Sequence, residues 1–226
     1  MRTDRITVLC AVSIMFMGGC TGAPPAPSPE INWNSVCGGS FEGYEDVADV
    51  PERHPGRFDE IAKEEKVEIV EESKNLQGVG EKLLSSPRSH IETCVLESGL
   101  EKGNDLVAGF EWVKVQGLTS LNQPEEKPGE DVRLIGDYAE IRFASGGIQH
   151  LNLYARCDRS EVGSRHGYNA LHGELRDNLL YTLAVEHRMK ILIQMARSVV
   201  SGMNCENDVQ LRNPFGEGTE WAHGPR

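Results

Sequence analysis

Apolar residues between Ser73 and Ser85 recur every three or four positions, which is the spacing of an amphipathic helix. Ser73 has a side chain suited to an N-cap, and Pro87 would end the helix because proline cannot continue its hydrogen bonding. The apolar stripe consists of Leu76, Val79, Leu83 and Leu84. We therefore predict a helix from Ser73 to Ser85.

A second and longer helical pattern runs from about Leu183 to Met203. Lys190 and Arg197 fall on faces other than the apolar one, and Gly202 stands near the end, where glycine often terminates a helix. The apolar positions are Leu183, Ile191, Met195 and Val199. This pattern predicts a long amphipathic helix.

Between the two helices, several segments are rich in β-branched and aromatic residues and predict strands. HIETCVLES (90–98) and DLVAGFEWVKV (105–115) are separated by the turn-like GLEKGN. YAEIRF (138–143) and IQHLNLYARC (148–157) flank ASGG, whose glycines suit a hairpin turn. NALHGELR (169–176) predicts one further strand.

Neighbouring strands followed by a helix indicate an α+β domain, in which an antiparallel sheet has its helices packed on one face. The strongest internal break, LNQPEEKPGED (121–131), predicts a loop between strands. KEEKVEIVEESK (63–74) is ambiguous, because its Val and Ile residues alternate as in a strand while its glutamates suit a helix. We favour a solvated face for this segment over a cation-binding or partner-binding surface.

The first residues of the chain predict an export signal. MRTDR is followed by an apolar run from Ile6 to Met17, which is shorter than the roughly 20 residues needed to cross a bilayer. A basic start, a short apolar core and the small residues Gly18 and Gly19 are typical of a secretory signal peptide over residues 1–19.

The segment MGGC, which ends at Cys20, resembles the lipobox of bacterial lipoproteins. The resemblance implies a diacylglyceryl group on the Cys20 sulfur, cleavage before that residue, and attachment to the outer face of the cell membrane. Two or more acyl chains, at about 0.8 kcal/mol per buried CH₂, give stable anchoring. The alternative is ordinary secretion with Cys20 as a plain thiol or removed.

The proline-rich TGAPPAPSPE predicts that residues 20–34 are a lipidated cysteine and an extended tether. We predict one α+β domain over 35–212 and a C-terminal tail over 213–226.

The formal net charge of −12 disfavours nucleic-acid binding and docking to anionic lipid through a basic patch. The negative charge would suit the binding of cations or basic partners, but we favour the explanation that it keeps the protein soluble.

Cys10 lies in the predicted signal peptide, which leaves Cys37, Cys94, Cys157 and Cys205 for the exported domain. An even number of cysteines in an oxidising compartment predicts two disulfides, and their wide spacing disfavours zinc. Three pairings are possible. The predicted positions of the cysteines, two in strands and two near the ends of the domain, favour Cys94–Cys157 and Cys37–Cys205.

The order of these features resembles that of a broad group of actinobacterial envelope lipoproteins. The resemblance rests on the lipobox, the proline-rich tether, an early Cys37-Gly38-Gly39, two mid-chain cysteines in strands and Cys205 after a C-terminal helix. It implies an exported domain. That group has no common activity, so the resemblance implies no particular function.

The motifs of common catalytic sites are absent from the sequence. His172-Gly173-Glu174 matches the H-x-E of zinc deaminases but lacks their P-C-x-x-C. His166 and His172 are candidate metal ligands, although such histidines are more often exposed or hydrogen-bonded. There is no G-x-S-x-G, no HExxH and no P-loop. We therefore predict no catalytic residues, metal or cofactor.

Two functions remain as hypotheses. The favoured one is a non-catalytic module that binds an envelope protein or a small ligand at the outer face of the membrane. The alternative is an envelope hydrolase that uses carboxylates together with His166 or His172, for which Glu174 is a candidate carboxylate.

The intact mass of the mature protein, extracted from its host membrane without reductant, tests the anchor and the disulfides together. We expect a mass that begins at Cys20, carries added acyl chains and lacks the four hydrogens lost when four cysteines pair. An unlipidated mass, or the retained precursor, would contradict the anchor.

Overall fold

The computed structural model describes residues 34–42, 69–86, 89–98, 105–114, 129–144, 147–159, 167, 169–179 and 184–214. The predicted signal peptide, Cys20, the tether up to residue 33, His166 and most of the predicted 121–131 loop lie outside the described residues. So does the C-terminal tail from residue 215 onward.

Seven antiparallel strands form one sheet in the order β1-β2-β3-β7-β6-β5-β4. The strands are β1 (Ile69–Ser73), β2 (Ile91–Ser98), β3 (Asp105–Val113), β4 (Glu130–Gly136), β5 (Ala139–Ala144), β6 (Gly147–Arg156) and β7 (Ala170–Asp177). The helices are the one-turn α1 (Val36–Gly39), α2 (Leu76–Ser85) and α3 (Val185–Met203). This confirms the predicted α+β class and its antiparallel sheet. Among the described helices, none combines the length and apolar character that crossing a bilayer requires.

Several boundaries differ from the sequence prediction, most clearly those of the first long helix and of the 121–131 loop. The first long helix begins at Leu76 because the Asn75 side chain, not Ser73, accepts hydrogen bonds from the first free backbone N–H groups. Ser73 instead ends β1, so the C-terminal part of the ambiguous 63–74 segment is a strand. The predicted 121–131 loop extended too far, because β4 begins at Glu130.

Close backbone contact fixes how the two long helices cross. A Cβ atom added to Gly80 of α2 would lie 2.2 Å from the Val199 carbonyl oxygen of α3. A Cβ atom added to Gly202 of α3 would lie 2.0 Å from the Gln77 carbonyl oxygen of α2. Only glycine fits at both positions, so these two residues set the distance between the helices. α3 also contacts β6 and β7, and α2 contacts β2 and β3.

A buried ion pair joins α3 to the end of β7. Asp177 and Arg188 are 0% and 1% exposed, and the Arg188 Nε–H donates to Asp177 Oδ2 at 2.6 Å. The other carboxylate oxygen accepts a hydrogen bond from the Leu179 N–H at 3.1 Å. Buried charges are tolerated when they are paired and hydrogen-bonded in this way.

The four cysteines of the predicted domain form two disulfides, but the predicted pairing is wrong. The bonds are Cys37–Cys94 and Cys157–Cys205, with Cα atoms 5.4 and 5.1 Å apart. Cys94 lies on β2 and Cys157 follows β6, and β3 and β7 stand between those strands. Three strand spacings amount to roughly 14 Å, beyond the roughly 7 Å limit between the Cα atoms of a disulfide.

Replacing Arg188 by methionine leaves the Asp177 carboxylate buried without the positive charge of Arg188 beside it. We expect the free energy of unfolding to fall by about 3–5 kcal/mol in urea denaturation with the disulfides intact. The matched control is Arg197→Met on the same helix, which removes an exposed guanidinium that donates to the Leu211 carbonyl oxygen and costs about 1 kcal/mol. Adding Asp177→Asn to Arg188→Met should recover part of the loss. Equal losses for the two arginine variants would contradict the role of the pair.

Candidate functional site

One face of the sheet carries a connected group of polar side chains, here called the polar network. Side chains alternate between the two faces of a strand, so these residues point away from the face that carries the buried Phe110, Leu153 and Leu171. The polar network consists of Glu111 on β3, His172 on β7, Asn152 and Tyr154 on β6, and Glu140 and Arg142 on β5.

The register of four strands brings these side chains together. Glu111 lies opposite His172, His172 opposite Tyr154, and Tyr154 opposite Glu140. Directly opposite residues of an antiparallel pair have Cβ atoms about 4.5–5.5 Å apart, so the four form one continuous row across β3, β7, β6 and β5. Asn152 and Arg142, opposite one another, belong to the next row along the strands.

His172 is held on both edges of its ring. Its Nδ1–H donates to Glu111 Oε1 at 2.8 Å, and its Nε2 lies 3.0 Å from Asn152 Oδ1. The His172 side chain is 14% exposed, whereas that of Glu111 is 30% exposed. Both ring nitrogens therefore have a partner, and the imidazole has one fixed orientation.

Tyr154 connects the histidine to an arginine–glutamate pair whose glutamate is buried. Its ring stacks on His172 with centroids 4.7 Å apart, and the Arg142 guanidinium carbon lies 5.5 Å from its centroid, within cation–π range. The Arg142 Nε–H donates to Glu140 Oε1 at 2.6 Å, and Glu130 Oε2 lies 3.8 Å from another Arg142 nitrogen. The Glu140 side chain is only 2% exposed and that of Arg142 is 20% exposed, so a partly buried charge pair holds this end of the network in place.

Burial is the main cause that raises the pKa of the Tyr154 phenol above its ordinary value. The Arg142 charge acts in the opposite direction and lowers that pKa, while Glu130, Glu111 and Glu140 raise it. Tyr154 therefore keeps its hydroxyl proton and remains a hydrogen-bond donor throughout the neutral range.

Further charged pairs surround the polar network on the same face. The His150 Nδ1 lies 3.7 Å from Glu174 Oε1, and an Arg176 nitrogen lies 3.6 Å from Asp105 Oδ2. These contacts are longer and more exposed than those of His172, so they contribute little to stability. Together they give the face both signs of charge.

The two ionisable residues of the H-x-E motif have different partners. His172 and Glu174 lie on the same face of β7, but His172 contacts Glu111 and Asn152, whereas Glu174 faces His150. Within the described part of the chain, no group of three His, Cys, Asp or Glu residues could hold a metal ion. His172 is hydrogen-bonded, as the sequence analysis favoured over a role as a metal ligand.

Sequence reasoning did not single out most of the polar network. In LNLYAR (151–156), polar and apolar residues alternate, which marks Asn152 and Tyr154 as one face of a strand. No sequence signal places β3 beside β7, and that pairing is what brings Glu111 to His172.

Comparisons of the chain with protein-family models, with curated proteins and with solved structures find no match.

The raised pKa of Tyr154 predicts a specific loss of stability in alkali. A group whose pKa is higher in the folded state than in the unfolded chain contributes stability below its ordinary value of 10.0, and that stability disappears as pH rises through the folded-state pKa. We expect the free energy of unfolding to fall more steeply above pH 10 in the wild type than in Tyr154→Phe. Urea denaturation between pH 9 and 11 measures this. Tyr138→Phe, at an exposed tyrosine, is the matched control. Parallel pH profiles for wild type and Tyr154→Phe would contradict the prediction.

Proposed function

We propose that this protein is an exported, lipid-anchored binding module without catalytic activity, and that the polar network is its ligand-binding surface. In this proposal α2 and α3 cover the apolar face of the sheet, and the opposite face is left to the ligand. The lipobox at Cys20, the proline-rich tether and the two disulfides support an extracytoplasmic location, as does the resemblance to actinobacterial envelope lipoproteins.

The environment of His172 is the observation that carries this proposal. A histidine acting as general base in a hydrolase holds one nitrogen against an orienting carboxylate and keeps the other on a nucleophile or a water molecule. Here Glu111 occupies the first position, but the second nitrogen faces the Asn152 amide, and Tyr154 covers one side of the ring. An imidazole surrounded by a carboxylate, an amide and a phenol ring is better suited to recognising a ligand than to activating a nucleophile.

The same contacts give the surface the rigidity that binding requires. His172, Tyr154 and Arg142 are each held by at least two neighbours, so few side-chain rotations remain to be lost when a ligand binds. The exposed edges of the network offer carboxylate, amide and phenol groups. A polar ligand with both hydrogen-bond donors and acceptors matches this set.

The Glu111–His172 contact is also the one observation that favours the alternative of an envelope hydrolase. A carboxylate 2.8 Å from Nδ1 is the usual orienting partner of a catalytic histidine. This alternative requires Asn152 to move away from Nε2 when substrate binds. It predicts hydrolysis of cell-wall glycans that is lost in both His172→Ala and Glu174→Gln.

Site-specific photo-cross-linking in the native host tests the binding surface. A photoreactive residue at Glu174, beside the polar network, should give a discrete adduct, whereas one at Glu81, exposed on α2, should not. His172→Phe keeps a ring beside Tyr154 but removes both hydrogen bonds, so we expect the adduct yield to fall about tenfold.

Two results would contradict the binding module. One is the absence of an adduct from Glu174 together with the absence of any ligand that copurifies with the membrane-extracted protein. The other is glycan hydrolysis that disappears in His172→Ala and Glu174→Gln, which would establish the hydrolase instead.

A further inference from the structure

The two outer strands of the described sheet differ in what lies beside them. β1 is contacted by α1, whose Cys37 N–H donates to the Glu71 carboxylate at 2.8 Å. β4 is contacted near its end, where the Arg212 N–H donates to the Ile135 carbonyl oxygen at 2.5 Å. Over Glu130 to Leu134, no described strand pairs with the outer side of β4.

The pairing of β5 with β6 and with β4 determines which backbone N–H and C=O groups of β4 point away from the sheet. The Arg156 N–H donates to the Tyr138 carbonyl oxygen at 2.8 Å, so the Tyr138 backbone faces β6. Backbone groups alternate between the two sides of a strand, so Ile141 faces β4 and its partner Arg133 faces β5. The residues of β4 whose N–H and C=O groups point out of the sheet are therefore Glu130, Val132 and Leu134.

The side chains on either side of Val132 carry opposite charges. Asp131 and Arg133 are both exposed and lie on the same face of β4. Neither side chain forms an ion pair or hydrogen bond with another described residue. The edge thus presents one negative and one positive charge, two residues apart, next to backbone groups that no described strand pairs with.

We propose that β4 pairs antiparallel with β4 of a second copy of this chain, about a two-fold axis through Val132. In this register Asp131 of each copy lies opposite Arg133 of the other, which gives two symmetric ion pairs. Asp131 and Arg133 occupy a pair of positions without backbone hydrogen bonds between them, where facing side chains are closest. The outward backbone groups of Val132, and those of Glu130 and Leu134, hydrogen-bond across the axis.

Neighbouring registers are less favourable. An axis through Asp131 places two aspartates opposite one another, and an axis through Arg133 places two arginines opposite one another. Like charges directly opposite are destabilising. An axis through Leu134 conflicts with the hydrogen bond from Arg212 to Ile135. The charge pattern and the Arg212 hydrogen bond together favour the axis through Val132 over these three.

The exposed Leu134 has a role in the same register. It is one of two large apolar side chains exposed among the described residues, at 46%. Leu134 lies on the same face of β4 as Val132, and in the pair it lies diagonally across from Val132 of the second copy. Pairing therefore buries a short apolar strip formed by Val132 and Leu134 of both copies.

Charged residues on an edge strand usually prevent uncontrolled pairing with other strands. Here the same two charges oppose the neighbouring registers centred on Asp131 and on Arg133 and favour the self-complementary one. The edge is therefore suited to a closed dimer with the two-fold symmetry common in homo-oligomers, rather than to open-ended aggregation.

Sedimentation velocity of the full mature chain over a series of concentrations tests this dimer. We expect the wild type to dimerise, and Asp131→Lys and Arg133→Glu each to raise the dissociation constant about tenfold or more. The charge swap, Asp131→Arg together with Arg133→Asp, should restore the affinity to within about threefold of the wild type. Asp137→Lys, the same charge change at an exposed turn residue, is the matched control and should have no effect.

Hydrogen exchange gives a second measurement that needs no variant. The outward Val132 and Leu134 amides should exchange more slowly as concentration rises. A wild type that stays monomeric throughout, with no such slowing, would overturn the proposal. So would a dimer that Asp131→Lys and Asp137→Lys affect equally, or one that the charge swap fails to restore.

Discussion

The buried ion pair between Asp177 and Arg188 is the interaction on which the arrangement of this sheet depends. Asp177 ends β7, which lies between β3 and β6, and a carboxylate there is tolerable because Arg188 and the Leu179 amide satisfy it. The pair holds Asp177 on the face of β7 that meets α3. Since side chains alternate along a strand, the same placement puts His172 and Glu174 on the opposite face.

The polar network is a product of strand order as much as of residue type. Its row joins Glu111, His172, Tyr154 and Glu140 from four strands, and β3 meets β7 although β4, β5 and β6 intervene in the chain. His172 and Asp177 of β7 are five positions apart, which is an odd number, so their side chains lie on opposite faces of the strand. The Asp177 carboxylate therefore lies on the core face and the His172 imidazole on the other. A one-residue slip would exchange the two faces and bury the imidazole without its partners.

The sequence predicted where the strands and helices lie along the chain better than it predicted which strands lie side by side. Strong periodicity located β2, β3, β5, β6, β7 and both long helices, because local spacing reflects local burial. β4 was missed because its exposed charges, such as Arg133, give it little alternation, and its start adjoins a proline-rich break. The disulfide pairing and the Glu111–His172 contact depend on which strands lie side by side, which no local pattern encodes.

The proposed dimer edge adjoins the proposed binding surface at Glu130. Glu130 lies 3.8 Å from Arg142, which packs over Tyr154, and the Glu130 backbone also faces the free edge of β4. A two-fold axis perpendicular to the sheet keeps the same face of both copies on one side. Pairing at β4 would therefore extend one sheet across two copies, with two polar networks on one surface. A surface of that kind binds a repetitive ligand more tightly than either copy does alone, because the second contact is intramolecular.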